Sequence, residues 1–236
     1  MSFFAQHVQQ VLAASAAAAQ FDPSVLTVNE QLLMQWIEHR RQLKELQSRA
    51  SKIEAKQEFL AQYQGFIDGV LGSDVPPASK DAEMFVDLMI WHLDCRALTD
   101  ALALCGFALR HDLPVPDRYQ RKLAVIIADE VADGALAAQA VTEIDTLHAY
   151  IDLLVPHDMP DEVRAKLHKA AGNNSPENSA TALEHYQRAM VLDKNSGVKR
   201  KIEDIERALK KASADATDAT EPNPAPDVSP TDASAP

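Results

Sequence analysis

Apolar residues between Val28 and Leu71 recur at alternating three- and four-residue steps, through Leu32, Trp36, Leu43, Leu46, Ala50, Ile53 and Leu60. Such spacing keeps one seam of a helix turned toward a partner helix. It predicts a single unbroken helix over residues 28–71, opened by a capping box in which Thr27 is followed three residues later by Glu30. The helix is expected to end near Gly69 to Gly72, ahead of Pro76-Pro77. Leu32, His39, Leu46, Ile53 and Leu60 form one heptad position, and Trp36, Leu43, Ala50 and Gln57 the other. His39 and Gln57 are polar faults in the seam, of a kind that costs stability but fixes register and oligomer number. Leu32, Trp36, Leu43, Leu46, Ile53 and Leu60 are therefore the candidate oligomerisation residues, while an antiparallel hairpin within the chain satisfies the same pattern equally well.

From Ser79 the pattern changes to shorter helices, roughly 12 to 16 residues each, with brief breaks, which is the arithmetic of stacked helical hairpins. Asp94-Cys95-Arg96, Leu113-Pro114-Val115-Pro116, the stretch from Val155 to Pro160, and Asn173-Asn174-Ser175-Pro176 mark the breaks. Ala182, Tyr186, Ala189 and Leu192-Asp193 in one hairpin match Ala101, Cys105, Ala108 and Leu113 in another. This resembles the second helix of a tetratricopeptide repeat, where small residues let antiparallel helices approach closely. Phe85, Trp91, Tyr186 and Met190 read as core, or alternatively as a groove for a partner peptide.

The flanks differ in character. Ala13 to Ala19, interrupted by Ser15, has high helix propensity and little to bury, so residues 1–27 are expected to form an N-terminal helical arm. After Lys211 the chain turns to Ala, Asp, Ser, Thr and Pro, with Asp215, Asp218, Glu221, Asp227 and Asp232 unopposed by any base, and residues 212–236 are expected to be a disordered acidic tail. Between them lie a long-helix segment, 28–75, and a helical-hairpin domain, 79–211.

Composition agrees with an all-α chain: 236 residues hold only seven glycines, and Val and Ile are not gathered in alternating runs. Neither a signal-peptide pattern nor an 18-residue apolar run occurs, so a cytoplasmic protein without a membrane partner is expected. Cys95 and Cys105 lie on apolar helical patterns with no companions for a zinc quartet, and are expected reduced and buried.

A net charge of −12 opposes binding to a polyanion, but charge distribution changes that picture. Residues 39–56 carry Arg40, Arg41, Lys44, Arg49, Lys52 and Lys56 against only Glu45 and Glu54. These six cations are the candidate phosphate contacts; the plainer reading pairs them with Glu38, Glu45, Glu54 and Glu58 along a solvated helix face. A helix-turn-helix is not spelled out, although the break from Phe21 to Asn29 offers a weak turn.

Catalysis finds little support. The best constellations are Asp87, His92 and Asp94, or Asp129, Glu130 and Asp133, and neither supplies the converging carboxylates of a two-metal nuclease. A Gly-x-x-x-x-Gly-Lys-Ser/Thr run is absent, so no P-loop ATPase lies in this chain. No catalytic residue, metal ligand or cofactor is expected.

Several separated blocks, in order, resemble a known family: Val28-Asn29-Glu30-Gln31-Leu32-Leu33, Gly65 to Leu71, Trp91-His92-Leu93-Asp94, Asp158 to Lys169, Gly197-Val198-Lys199 and Ile202 to Arg207. Together, from about residue 28 to 211, they look like the small terminase subunits of temperate contractile-tailed phages of the Peduovirus type. The resemblance implies a genome-packaging role in the bacterial host cell. Such a subunit recognises double-stranded viral DNA, assembles as a homo-oligomer, a ring being one form this would take, and passes the DNA to a large subunit with ATPase and nuclease activities. Members are often labelled the terminase endonuclease subunit, a label read here as describing the complex. Family members end in a Lys/Arg-rich tail, whereas this chain ends in an acidic one. A helical-repeat adaptor that binds only proteins is the competing reading.

Overall fold

Thr27 and Glu30 cap each other reciprocally: the Thr27 backbone N–H donates to Glu30 Oε2 at 2.8 Å, and the Glu30 N–H donates to Thr27 Oγ1 at 3.3 Å. That capping box opens α1, Val28–Glu45, in a computed structural model that describes residues 27–137 and 142–218, with side chains to Ser213. The remaining elements of the described chain are all helices: α2 Arg49–Leu60, α3 Gln64–Ser73, α4 Ser79–Asp94, α5 Leu98–Arg110, α6 Leu123–Leu136, α7 Ile144–Leu154, α8 Asp161–Asn174, α9 Ala180–Leu192 and α10 Lys199–Asp218. No strand occurs among the described residues, so the all-α expectation holds.

The expected single helix over 28–71 is instead three, a correction with a clear physical cause. Leu46 and Ser48 both take extended backbone angles, and α2 turns back along α1. No proline or glycine forces the turn; packing does. Both α1 and α2 lie on α4, and folding the chain over buries Trp36, His39 and Leu43 against Phe59, Leu60 and Tyr63. His39 stacks on Phe59 with ring centroids 3.7 Å apart, and its Nδ1 lies 2.7 Å from the Tyr63 hydroxyl. A continuous helix would have left those rings in water, and their burial outweighs the hydrogen bonds lost at one break.

Helix α4 is the axle of the molecule. From Met84 to Leu93 every residue is buried, because α1, α2, α5 and α6 all pack around it. The chain then steps outward, with α5 against α6 and α7, α6 against α8, α8 against α9 and α9 against α10. The breaks fall where the sequence marks them: Arg96 and Asp112 take left-handed φ values of 61° and 46° after α4 and α5, Pro160 caps α8, and α8 ends at Asn174. Ala101, Cys105 and Ala108 are buried, as are Ala182, Tyr186 and Ala189. One large core joins α1 to α8, and a small separate cluster of Ala182, Tyr186, Ala189, Val198 and Ile205 holds α9 to α10.

Helix α10 runs to Asp218, seven residues into the stretch whose composition predicts disorder; Ala212, Ala214 and Ala216 favour helix there despite the acids. The arm, 1–26, and the tail from 219 lie outside the described residues. Both cysteines are free; burial pushes the Cys105 thiol up to about 12 and the half-buried Cys95 thiol up to about 11.

Candidate nucleic-acid interface

The six predicted phosphate contacts separate according to what they touch. Arg41 bridges Glu38 at 2.7 Å and Glu45 one turn on, and Lys56 pairs with Asp94. Arg40 is wedged inward, its guanidinium 4.6 Å from the centre of the Trp36 ring and its Nε 3.6 Å from Asp87 Oδ2. Lys44 and Arg49 are exposed and Lys52 partly so, and among the described residues none of the three has a hydrogen-bond or ion-pair partner. They bracket the extended turn between α1 and α2, so the turn gathers into one tip the charges that a straight helix would have strung along its length. Arg49 also opposes the rise in the Glu130 pKa, which burial and then the neighbouring Asp94 and Asp133 drive upward.

The candidate oligomerisation residues separate in the same way. Trp36, Leu43 and Leu60 lie in the chain's own core, with Trp36 only 1% exposed, so their burial needs no second copy. Leu32, Leu46 and Ile53 are half-buried at its margin. The polar fault at His39 is absorbed by the stack on Phe59, and Gln57 is exposed.

Beneath the hairpin sits a carboxylate that the sequence offers only as a weak catalytic candidate. Asp87 is fully buried on α4; Trp36 Nε1–H donates to its Oδ2 at 3.1 Å, and Arg118, from the loop between α5 and α6, forms an ion pair with its Oδ1. Arg118 lies 4.7 Å over the Tyr119 ring. Its pKa is held down first by burial, with the charge of Arg40 acting in the same direction. Sequence reasoning missed Arg118, since nothing in its neighbourhood says that the loop folds back onto α4.

The two acidic constellations come apart. Asp87 is engaged by arginines, His92 Nδ1 lies 2.8 Å from the Leu88 carbonyl oxygen one turn back, and Asp94 holds Lys56. Asp129 pairs with Arg121 and, at 3.3 Å, with Lys166, which also reaches Asp133 at 2.7 Å. Among the described residues no group of three or more His, Cys, Asp or Glu is arranged to hold a metal ion, and no helix is long and apolar enough to cross a membrane.

Fold and site together define an all-helical protein that presents cations at the tip of a hairpin and anchors that hairpin on a buried ionic cluster. The model of the phage small terminase subunit family matches residues 33–162, from α1 into the start of α8. The terminase endonuclease subunit of Escherichia phage P2 is 36% identical over 211 residues, which cover 87% of this chain and 84% of that protein. This chain belongs to the phage small terminase subunit family. No solved structure matches it.

Proposed function

We propose that this subunit recognises double-stranded viral DNA, self-associates, and delivers the DNA to a large terminase subunit that carries the ATPase and nuclease, all in the host cytoplasm. The observation that supports it is the hairpin tip: among the described residues Lys44, Arg49 and Lys52 have no hydrogen-bond or ion-pair partner, while Arg41 and Lys56 are spent on carboxylates. Cations gathered at a turn release counterions when they meet phosphate, which supplies affinity and a steep salt dependence. Sequence preference would come from weak contacts repeated by several copies. For self-association the hairpin offers Ile37, 57% exposed, beside half-buried Leu32, Leu46 and Ile53. Catalysis has no part in this reading; the chain binds and delivers.

The test is a titration of labelled duplex spanning the parent phage's genome ends, against a shuffled duplex, at low and physiological salt. Binding that falls steeply with salt and favours the end sequence is expected. Reversing Lys44, Arg49 and Lys52 to Glu should abolish it with helicity unchanged, whereas the reversal of Arg41 should matter much less. No binding by the intact protein at either salt would reject DNA recognition and leave a protein-binding adaptor.

A further inference from the structure

Two guanidinium groups meet at Asp87, and one carboxylate cannot neutralise both. Arg40 approaches Asp87 through its Nε at 3.6 Å, and its guanidinium makes no hydrogen bond among the described residues. Arg118 approaches from the α5–α6 loop, pairing with Asp87 and lying over the Tyr119 ring. Both side chains reach solvent, 28% exposed for Arg40 and 31% for Arg118, while the carboxylate between them is fully buried. Each guanidinium is also braced by a ring, Arg40 by Trp36 at 4.6 Å and Arg118 by Tyr119 at 4.7 Å. Glu83, whose charge reaches Arg118, is already paired with Lys80 at 2.5 Å, and Asp94, which acts with Glu130 on Tyr119, is held by Lys56. The arrangement therefore has a residual positive charge, unused N–H donors and little freedom left to lose, which is the condition for tight recognition of a planar or tetrahedral oxyanion. Lys44 lies one helical turn beyond Arg40 and extends the positive track toward the hairpin tip.

We propose that Arg40 and Arg118, held by Asp87, form a clamp for one backbone phosphate of the duplex. Asp87 is a positioning residue in this site: it does not touch the phosphate but aims both guanidiniums. The inference rests on the DNA-binding reading and deepens it, since it extends the interface from the hairpin to the α5–α6 loop. It also reassigns Arg40 from an ion pair that is merely structural to one that is incomplete until the ligand arrives.

Two measurements on the full-length protein test the clamp. In the first, duplex affinity is followed against salt for the wild type, Arg118→Gln and Arg118→Lys. Loss of one phosphate contact should make the slope of log K against log salt shallower by about 0.9 and weaken binding roughly eightfold at 0.1 M salt, with Lys restoring the slope. In the second, which needs no variant, inorganic phosphate is titrated while the arginine Nε–H signals are followed by NMR; those of Arg40 and Arg118 should move together with one binding constant. An unchanged slope in a folded Arg118→Gln protein, or Nε–H signals indifferent to phosphate, would overturn the clamp while leaving DNA recognition standing. Failure of the wild type to bind any duplex would reject DNA recognition instead, and the phosphate titration then judges the clamp alone.

Discussion

A Cβ placed on Gly172 would stand 2.6 Å from Cε1 and 2.8 Å from Cδ1 of Tyr186, closer than packed carbons approach. The missing methyl is what allows α8 and α9 to lie so near, and the ring that fills the gap is fixed at its far end, where the Tyr186 hydroxyl donates to Asn173 Oδ1 at 2.9 Å and Lys201 Nζ reaches the same oxygen at 2.6 Å. Gly172→Ala would gain up to about 1 kcal/mol in helix propensity but force an overpacked contact costing about 1–3 kcal/mol. A net loss is expected, read as a melting temperature lower by a few degrees with the large core intact. The small residues at Ala182 and Ala189 were legible from spacing alone. Gly172 was not, because its partner lies on the next helix and a glycine near a helix end reads equally well as a cap.

At the scale of elements, three histidines from three helices meet in a row. His148 Nε2 on α7 lies 2.8 Å from His185 Nε2 on α9, and His185 Nδ1 lies 3.2 Å from His168 Nδ1 on α8. Burial first, then the charges of His185, Arg188 and Arg164, hold His168 down to about 4; burial and His148 lower His185 against the pull of Glu184. Between about pH 6.5 and about 4 the unfolded chain thus binds more protons than the folded one, so stability is complete above that window and falls as pH drops through it. His39, held down to about 4 chiefly by burial, acts in the same direction, whereas Glu130, raised by burial, opposes it. The urea midpoint should be lower at pH 5 than at pH 7, and His168→Asn should flatten the difference; an equal pH response in that variant would count against the row. Element boundaries set by Pro114, Pro116, Pro160 and the Thr27 cap were readable in the sequence. The break at Leu46 to Ser48 was not, since its cause is an aromatic cluster assembled with Phe59 and Tyr63, beyond the reach of any local signal.

For the whole molecule, the charge balance is the controlling quantity. Six cations in a chain of net charge −12 look like a basic face in sequence, yet folding spends three of them on carboxylates and concentrates the remainder at a turn. The acids after Lys211 are opposite in sign to that tip, so competition between them and DNA is the outcome to test. Deleting residues 213–236 should tighten DNA binding, most visibly at low salt, where the Debye length is longest; unchanged affinity would separate the tail from DNA recognition. Much of the candidate interface was legible, because Arg40, Lys44, Arg49 and Lys52 lie close together in sequence. Arg118 required the fold, because it meets Arg40 at Asp87 only through the placement of the α5–α6 loop on α4.

The same placement has an optical consequence. The chain has two tryptophans, and the fold assigns them different duties: Trp91 sits deep in the core beside Phe59 and Tyr63, while Trp36 lies directly under the Arg40 guanidinium with its indole N–H on Asp87. An indole's emission responds to a charge resting on its face and to the acceptor of its N–H, so whatever occupies the two arginines will alter the light from Trp36 and hardly that from Trp91. With Trp91 replaced by Phe, the protein becomes a single-emitter sensor of its own ionic cluster, reporting an event at the surface from a ring that water does not reach.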